Sequence, residues 1–210
     1  MSTRICLIRH GETDWNVAKR IQGQTDIPLN ETGRNQALAL AFSAAQFDFH
    51  AIYSSDLSRA LDTAKRVAER RGLEVRTTPL LRERHFGIFQ GLTSEEGLQV
   101  NSSAHTCYLE RDVNYDFESG ENMLRFAERV NEAVDYLLKQ HPKQTIAVVS
   151  HAGVLEMVYR KATGRPLHTP RDFAIPNCAL NWFKFDKQGW QLEAWDNHHH
   201  LAKVLMESAE

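Results

Sequence analysis

The chain has 210 residues, 42% of them hydrophobic and 25% charged, and a formal net charge of −2. That is ordinary globular composition for a chain long enough to bury a core, and it excludes fibrous, low-complexity and strongly disordered classes. So small a net charge gives no global pull toward nucleic acid or an anionic membrane, so an anionic ligand has to be held by a local cluster of positive groups. No apolar run approaches the roughly 20 residues of a membrane-spanning helix, and the stretch between Arg4 and Arg9 is too short for a signal peptide. Cys6, Cys107 and Cys178 are widely spaced, with no C-x-x-C pair. They fit a reducing, cytoplasmic setting and argue against a disulfide framework or a thiolate zinc site. Cys6 and Cys178 are expected to act as small apolar residues in strands.

Taken in order, strand and helix alternate. Arg4 to Ile8 reads as a short strand, followed by turn-rich sequence to Asn30. A helix is predicted from Glu31 to Ala45, with Ala37, Leu38, Ala41 and Ala44 on one face. Ala51 to Ser54 is a second strand, ending where Ser55 or Asp56 can cap a helix that runs to Arg71 and stops at Gly72. Leu73 to Thr77 is a third strand. From Phe86 to Gly120 the periodicity fades, and this is expected to be a loop-rich excursion covering a site. An amphipathic helix follows from Glu121 to Gln140, then a doubly buried strand from Thr145 to Val149 and a helix from Val154 to Thr163. The tail alternates from Leu180 through a turn at Asp186 to Gly189 and on to Trp195, an edge hairpin.

The expectation is one α/β domain over residues 1–210, a mostly parallel central sheet between two helical layers (α/β/α). Ligands of such sheets bind beyond the carboxyl ends of the strands. Here those ends carry Arg9 and His10, the Ser54 to Arg59 turn, and Ser150 and His151. Two histidines and two arginines thus converge on one edge.

His10 alone reads most simply as a structural residue. Its neighbours change that. Gly11 lets backbone and ligand approach closely, and Arg9 offers a fork of donors suited to phosphate oxygens. Fixed positive charge disfavours the imidazolium, which keeps the ring available as a nucleophile near neutral pH. Arg59 falls in the first turn of its helix, where backbone N–H groups already favour an anion. His151 ends the most buried strand, where an unpartnered imidazole is costly and a functional role is the better reading.

The segment LIRHGETDWN resembles the histidine phosphatase superfamily, which contains cofactor-dependent phosphoglycerate mutases and many small phosphatases. RIQGQTDIPLNETGRNQA, SSDLSRALDTA, LRERHFGIFQGLT, SGEN and VVSHAGV match the family's further blocks in order, so the likeness spans nearly the whole chain. The resemblance implies that His10 becomes phosphorylated, that Arg9, Arg59 and His151 bind the phosphoryl group, and that Glu83 protonates the leaving oxygen. It also implies that Asn16 lies near the phosphate and that Gln22 and Gly23 line the pocket. Phosphoryl transfer passes through a loose transition state, which a preformed cationic cage can stabilise. With two arginines and two histidines in that role, no metal and no other cofactor is expected.

Arg82, Arg84 and His85 are divided between contacts to an acidic substrate and plain exposed charge. Glu121 is divided between a hydrogen bond inside the site and favouring a helix N-terminus, with the second preferred; His198 to His200 are read as the end of the last strand rather than a metal site, and Trp182, Trp190 and Trp195 as sheet packing. A phosphatase of a small phosphorylated metabolite is the leading function. The alternatives are a mutase, which ERHFG favours while SHAGV departs from the mutase form, and a non-catalytic phospho-ligand binder. No nucleic-acid or membrane partner is expected. The edge hairpin leaves a homodimer open. The family's range of phosphoglycerates, phosphoserine, nucleoside-like and sugar phosphates leaves the substrate undetermined.

Overall fold

The computed structural model describes residues 2–202, in which six strands form one mixed sheet: β1 (Thr3–Arg9), β2 (Ala51–Ser54), β3 (Val75–Thr77), β4 (Thr145–Ser150), β5 (Leu180–Asp186) and β6 (Gly189–Asn197). Their order is β3-β2-β4-β1-β5-β6, with β1 to β4 mutually parallel and the hairpin β5–β6 antiparallel at one edge. The helices are α1 (Asp14–Val17), α2 (Glu31–Ala44), α3 (Ser58–Arg71), α4 (Ser94–Val100), α5 (Ser102–Leu109), α6 (Met123–Gln140) and α7 (Ala152–Thr163).

Successive strand residues point to opposite faces, and the two cores follow that parity. Ile5, Leu7, Ile146 and Val148 pack with Phe126, Val130 and Val134 of α6 and with Val154 and Leu155 of α7. Cys6, Ile8, Ala147 and Val149 pack with Leu40 and Ala44 of α2 and with Ala60, Ala64 and Val67 of α3. The result is the expected α/β/α sandwich. Because β1 connects toward β2 and β4 connects toward β5, a crevice opens beyond their carboxyl ends, the usual ligand position in such sheets.

Several local expectations need correction. The excursion after Phe86 also contains two short helices that were not predicted, α4 and α5, and Phe89, Ala104 and Phe117 form a third apolar cluster, joined by Phe86, Tyr108 and Tyr115. Its helices are too short to show a clear period. In α2 Leu38 is exposed and Leu40 is the inward residue, so the stripe is Ala37, Leu40, Ala41 and Ala44. Neither Ser55 nor Asp56 caps α3. Asp26 from a distant loop accepts the N–H of Ser58 at 2.8 Å instead, and Asp56 pairs with Arg82 at 2.6 Å. Residues 73 and 74 finish the turn after α3 rather than joining β3, with the Leu73 N–H on the Ala68 carbonyl. α6 starts at Met123 with Asn122 as its cap, two residues later than predicted, and α7 starts at Ala152, immediately after His151. Cys178 is buried but precedes β5, in a left-handed conformation with φ 57°.

Candidate active site

The ends of β1 and β4 share a rung. Arg9 pairs with Ser150, and the His10 N–H donates to the Ser150 carbonyl at 2.9 Å. The His10 carbonyl accepts from Asn177 Nδ2 at 2.7 Å, and the Gly11 N–H donates to Thr63 Oγ1 at 3.0 Å. The backbone that carries the imidazole is thereby tied to α3 and to the segment preceding β5.

The His10 ring is buried, with Nδ1 2.7 Å from the Gly11 carbonyl. A carbonyl only accepts, so Nδ1 carries the hydrogen and Nε2 keeps its lone pair. Burial, then Arg59 and Arg9, hold this imidazole well below its ordinary pKa, so it is neutral at pH 7. His151 is wholly buried, its ring centroid 5.2 Å from that of His10. Burial, followed by Arg59, His10 and Arg9, lowers its pKa in the same way.

Arg59 lies on the first turn of α3 and is buried. Its Nη1 donates to the Thr25 carbonyl at 2.8 Å and its Nη2 to the Gly23 carbonyl at 2.7 Å. Arg9 Nη1 donates to the Ile175 carbonyl at 2.7 Å. Burial pushes both guanidiniums down to about 10, with the Glu83 carboxylate opposing the shift, so both stay charged near neutrality. Among the described residues six buried side-chain atoms lack a hydrogen-bond partner, and five belong here: Nε of Arg9 and of Arg59, Oε1 of Gln22 and both ring nitrogens of His151. Buried polar atoms are normally paired. This cluster of orphans is what an anion site built for an incoming ligand presents.

Glu83 is held by backbone. Its Oε1 accepts the Arg84 N–H at 2.9 Å and its Oε2 accepts the Gly153 N–H at 3.0 Å. Thr13 and Asn16 form a reciprocal cap on α1, which fixes Asn16 beside the pocket. Gly23 has φ 52°, a left-handed conformation that favours glycine, and a Cβ there would lie 2.1 Å from Gln90 Oε1 and force that side chain off the loop that receives Arg59.

Arg9, His10, Asn16, Gln22, Gly23, Arg59 and Glu83 line one cavity of about 360 Å³. His151 is not on that wall; it stands against His10 from within. Sequence reasoning missed Trp15, Lys19, Phe86, Tyr108 and Arg171 on the same wall, and also Thr63 and Asn177, whose side chains steady the backbone. Nothing in the local pattern marks them, because each acts through a long-range contact.

The two arginines flanking Glu83 are engaged within the protein. Arg84 is buried and donates to the carbonyls of Glu121 and Tyr115 at 2.8 and 2.9 Å. Arg82 pairs with Asp56. Glu121 does more than favour a helix end: both its oxygens accept from Arg129 at 2.7 Å, and it takes the His85 N–H at 3.1 Å. Among the described residues no cluster of histidine, cysteine and carboxylates is arranged for a metal ion; His198 pairs with Asp196, and His200 donates to the Cys178 carbonyl.

Two buried guanidiniums, a neutral imidazole with a free Nε2 and a carboxylate at the far wall meet at the mouth of an α/β sheet, an arrangement chemically suited to an anionic group. Residues 5–198 match the model of the histidine phosphatase superfamily (branch 1), and the chain belongs to that family. It is similar to a metal-independent phosphoserine phosphatase of Arabidopsis thaliana, 36% identical over 205 residues that cover 96% of this chain and 84% of the relative. A probable phosphoglycerate mutase of Serratia proteamaculans is 30% identical, covering 91% of this chain and 89% of the relative. The solved structure of a mycobacterial glucosyl-3-phosphoglycerate phosphatase complexed with VO3 superposes with a TM-score of 0.83 at 31% identity, covering 92% of this chain and 99% of that one.

Proposed function

We propose that this chain hydrolyses phosphomonoesters through a phosphohistidine on His10. By family and by its similarity to a phosphoserine phosphatase and a glucosyl-3-phosphoglycerate phosphatase, it is a phosphatase of small phosphorylated metabolites. The observation that carries the mechanism is the His10 ring, neutral, pinned at Nδ1 and flanked by Arg9 and Arg59.

In the first step His10 Nε2 attacks phosphorus in line with the ester oxygen. The N–P bond forms as the P–O bond breaks, and Glu83 gives its proton to the departing alkoxide. Arg9, Arg59 and His151 hold the three non-bridging oxygens as charge spreads over them. In the second step water attacks the same phosphorus, Glu83 takes its proton, and the N–P bond breaks to release inorganic phosphate. A mutase would return the phosphoryl group to a second hydroxyl instead of to water, and the mutase relatives keep that reading in view.

Turnover of p-nitrophenyl phosphate that disappears in His10→Ala, together with loss of acid-labile phosphate labelling in that variant, is the expected result. Labelling that persists without His10 refutes the mechanism. If 3-phosphoglycerate is isomerised faster than phosphate is released, the mutase reading replaces the phosphatase one. Absence of any turnover leaves a phospho-ligand binder.

The finer proposals are one domain, a cytoplasmic setting supported by three free cysteines, and a homodimer formed through the outer edge of β6. Light scattering tests the last. No described helix is long and apolar enough to cross a membrane.

A further inference from the structure

We propose that a second cavity beside the phosphate pocket is the leaving-group site, and that it takes phosphomonoesters of bulky alcohols with an apolar, ring-sized body. This rests on the phosphatase reading and extends it to a substrate class. The cavity encloses about 430 Å³ and shares Glu83, Phe86, Tyr108, Ala152 and Arg171 with the phosphate pocket. Glu83 therefore stands at the junction of the two, on the side where an ester oxygen has to leave.

The lining supplies the rest of the case. Tyr108, Phe117, Met123, Phe126 and Met157 present aromatic and thioether surface to the interior. The charged residues of the wall are engaged with protein apart from Arg171, which is partly exposed at the rim and lies 3.7 Å from Glu156. Arg84 donates to two carbonyls while its guanidinium lies 5.1 and 5.0 Å from the ring centres of Phe86 and Phe117. Glu156 is nearly buried and accepts from both Arg111 and Arg160, and Arg111 also donates to the Leu167 carbonyl. What faces the space is therefore mainly apolar. Its volume falls within the roughly 300–1,000 Å³ of sites that hold drug-sized ligands, more than a three-carbon alcohol fills. Methionines on two walls, from α6 and α7, adapt to the shape of a ring.

The test compares kcat/KM for propyl phosphate and 3-phenylpropyl phosphate, whose leaving oxygens have similar basicity, so that chemistry is held constant and only the body differs. The phenyl ester is expected to be favoured about 30-fold, the size of effect that burying one aromatic ring gives. Met157→Trp fills the space from α7 and should cut that preference below about threefold; Cys107→Trp fills it from α5 and serves if the first variant does not fold. Equal rate constants for the two esters, or a preference that survives in both folded variants, overturn the proposal and leave the phosphatase reading intact. No turnover of either ester or of p-nitrophenyl phosphate defeats the phosphatase reading, and this one with it.

Discussion

The Glu83 carboxylate rests on the first turn of α7, where its Oε2 accepts the Gly153 N–H at 3.0 Å and a Cβ on Gly153 would lie 2.2 Å from Oε1. A methyl group there displaces the carboxylate, the tip of a flexible side chain, and also presses on the buried Phe126 ring, whose Cε1 would lie 3.0 Å away, without touching the sheet. Gly153→Ala should therefore still fold, at some cost in stability, yet lose kcat/KM by about 100-fold on alkyl phosphates, the range for removing a general acid. On p-nitrophenyl phosphate, whose leaving group needs no proton, the loss should stay under about tenfold. Equal losses on both substrates would contradict the role given to Glu83.

His10 and His151 give stability a pH dependence with a definite sign. Burial, and then neighbouring charge, hold both imidazoles neutral in the folded chain. In the unfolded chain each titrates near about 6.5, so below that pH the unfolded state binds protons that the folded state refuses. Stability is complete above about pH 6.5 and falls as pH drops, by about 1.4 kcal/mol per pH unit for each imidazole. Urea denaturation between pH 7 and pH 5 should show a slope that His10→Gln and His151→Gln each reduce by about that amount. An unchanged slope in both variants would rule the linkage out.

Arg59 cannot be replaced by lysine without loss. Its two terminal nitrogens hold the carbonyls of Thr25 and Gly23, and its Nε is unpartnered within the molecule. A single ammonium cannot span both carbonyls and also meet a phosphate. Arg59→Lys should lower kcat/KM about 100-fold, equivalent to about 2.7 kcal/mol of transition-state binding. It should also weaken inhibition by inorganic phosphate. Retention of phosphate affinity in the folded variant would remove Arg59 from the anion site.

Arg129 positions the Glu83 segment from behind. Its guanidinium donates to both oxygens of Glu121 and to the carbonyls of Leu80, Arg82 and Glu83 at 2.7 to 3.2 Å. Glu121→Gln should cost about 2 kcal/mol in chemical denaturation, since it leaves a largely buried guanidinium without its counter-charge. Arg129→Met should also lower kcat/KM on alkyl phosphates more than on p-nitrophenyl phosphate. A loss of stability with no such leaving-group dependence would make Arg129 purely structural.

The parts of the fold that were legible in the sequence are those governed by short-range periodicity. The continuous apolar run of β4, the stripes of α3 and α6 and the turn between β5 and β6 state their own burial, and the convergence of strand ends follows from an α/β pattern. Site residues that end a strand or open a helix, such as His10, Arg59 and His151, were reachable by the same route. What escaped depends on contacts distant in sequence. Asp26 caps α3 from 32 residues away, Asn177 reaches His10 across 167, and Arg129 gathers three carbonyls from the segment around Glu83. The two helices inside the excursion were not read for a related reason: α4 and α5 pack with Phe89 and Phe117, not against the sheet, so no periodic signal of ordinary length appears.

That third cluster has a consequence for how the molecule moves and changes. Strand backbone buried on both faces opens only with global unfolding, whereas small satellite units open at lower cost. The rung joining Arg9 to Ser150 should therefore be among the slowest amides to exchange with solvent, while the amides of α4 and α5 exchange sooner and together. On the proposed mechanism, bond-breaking chemistry would sit on the most persistent part of the chain, and the choice of alcohol would fall to a unit expected to open first. Replacing the covering unit would then retarget the catalyst without disturbing the cage, a division of labour that lets one scaffold acquire new substrates through change in a single removable piece.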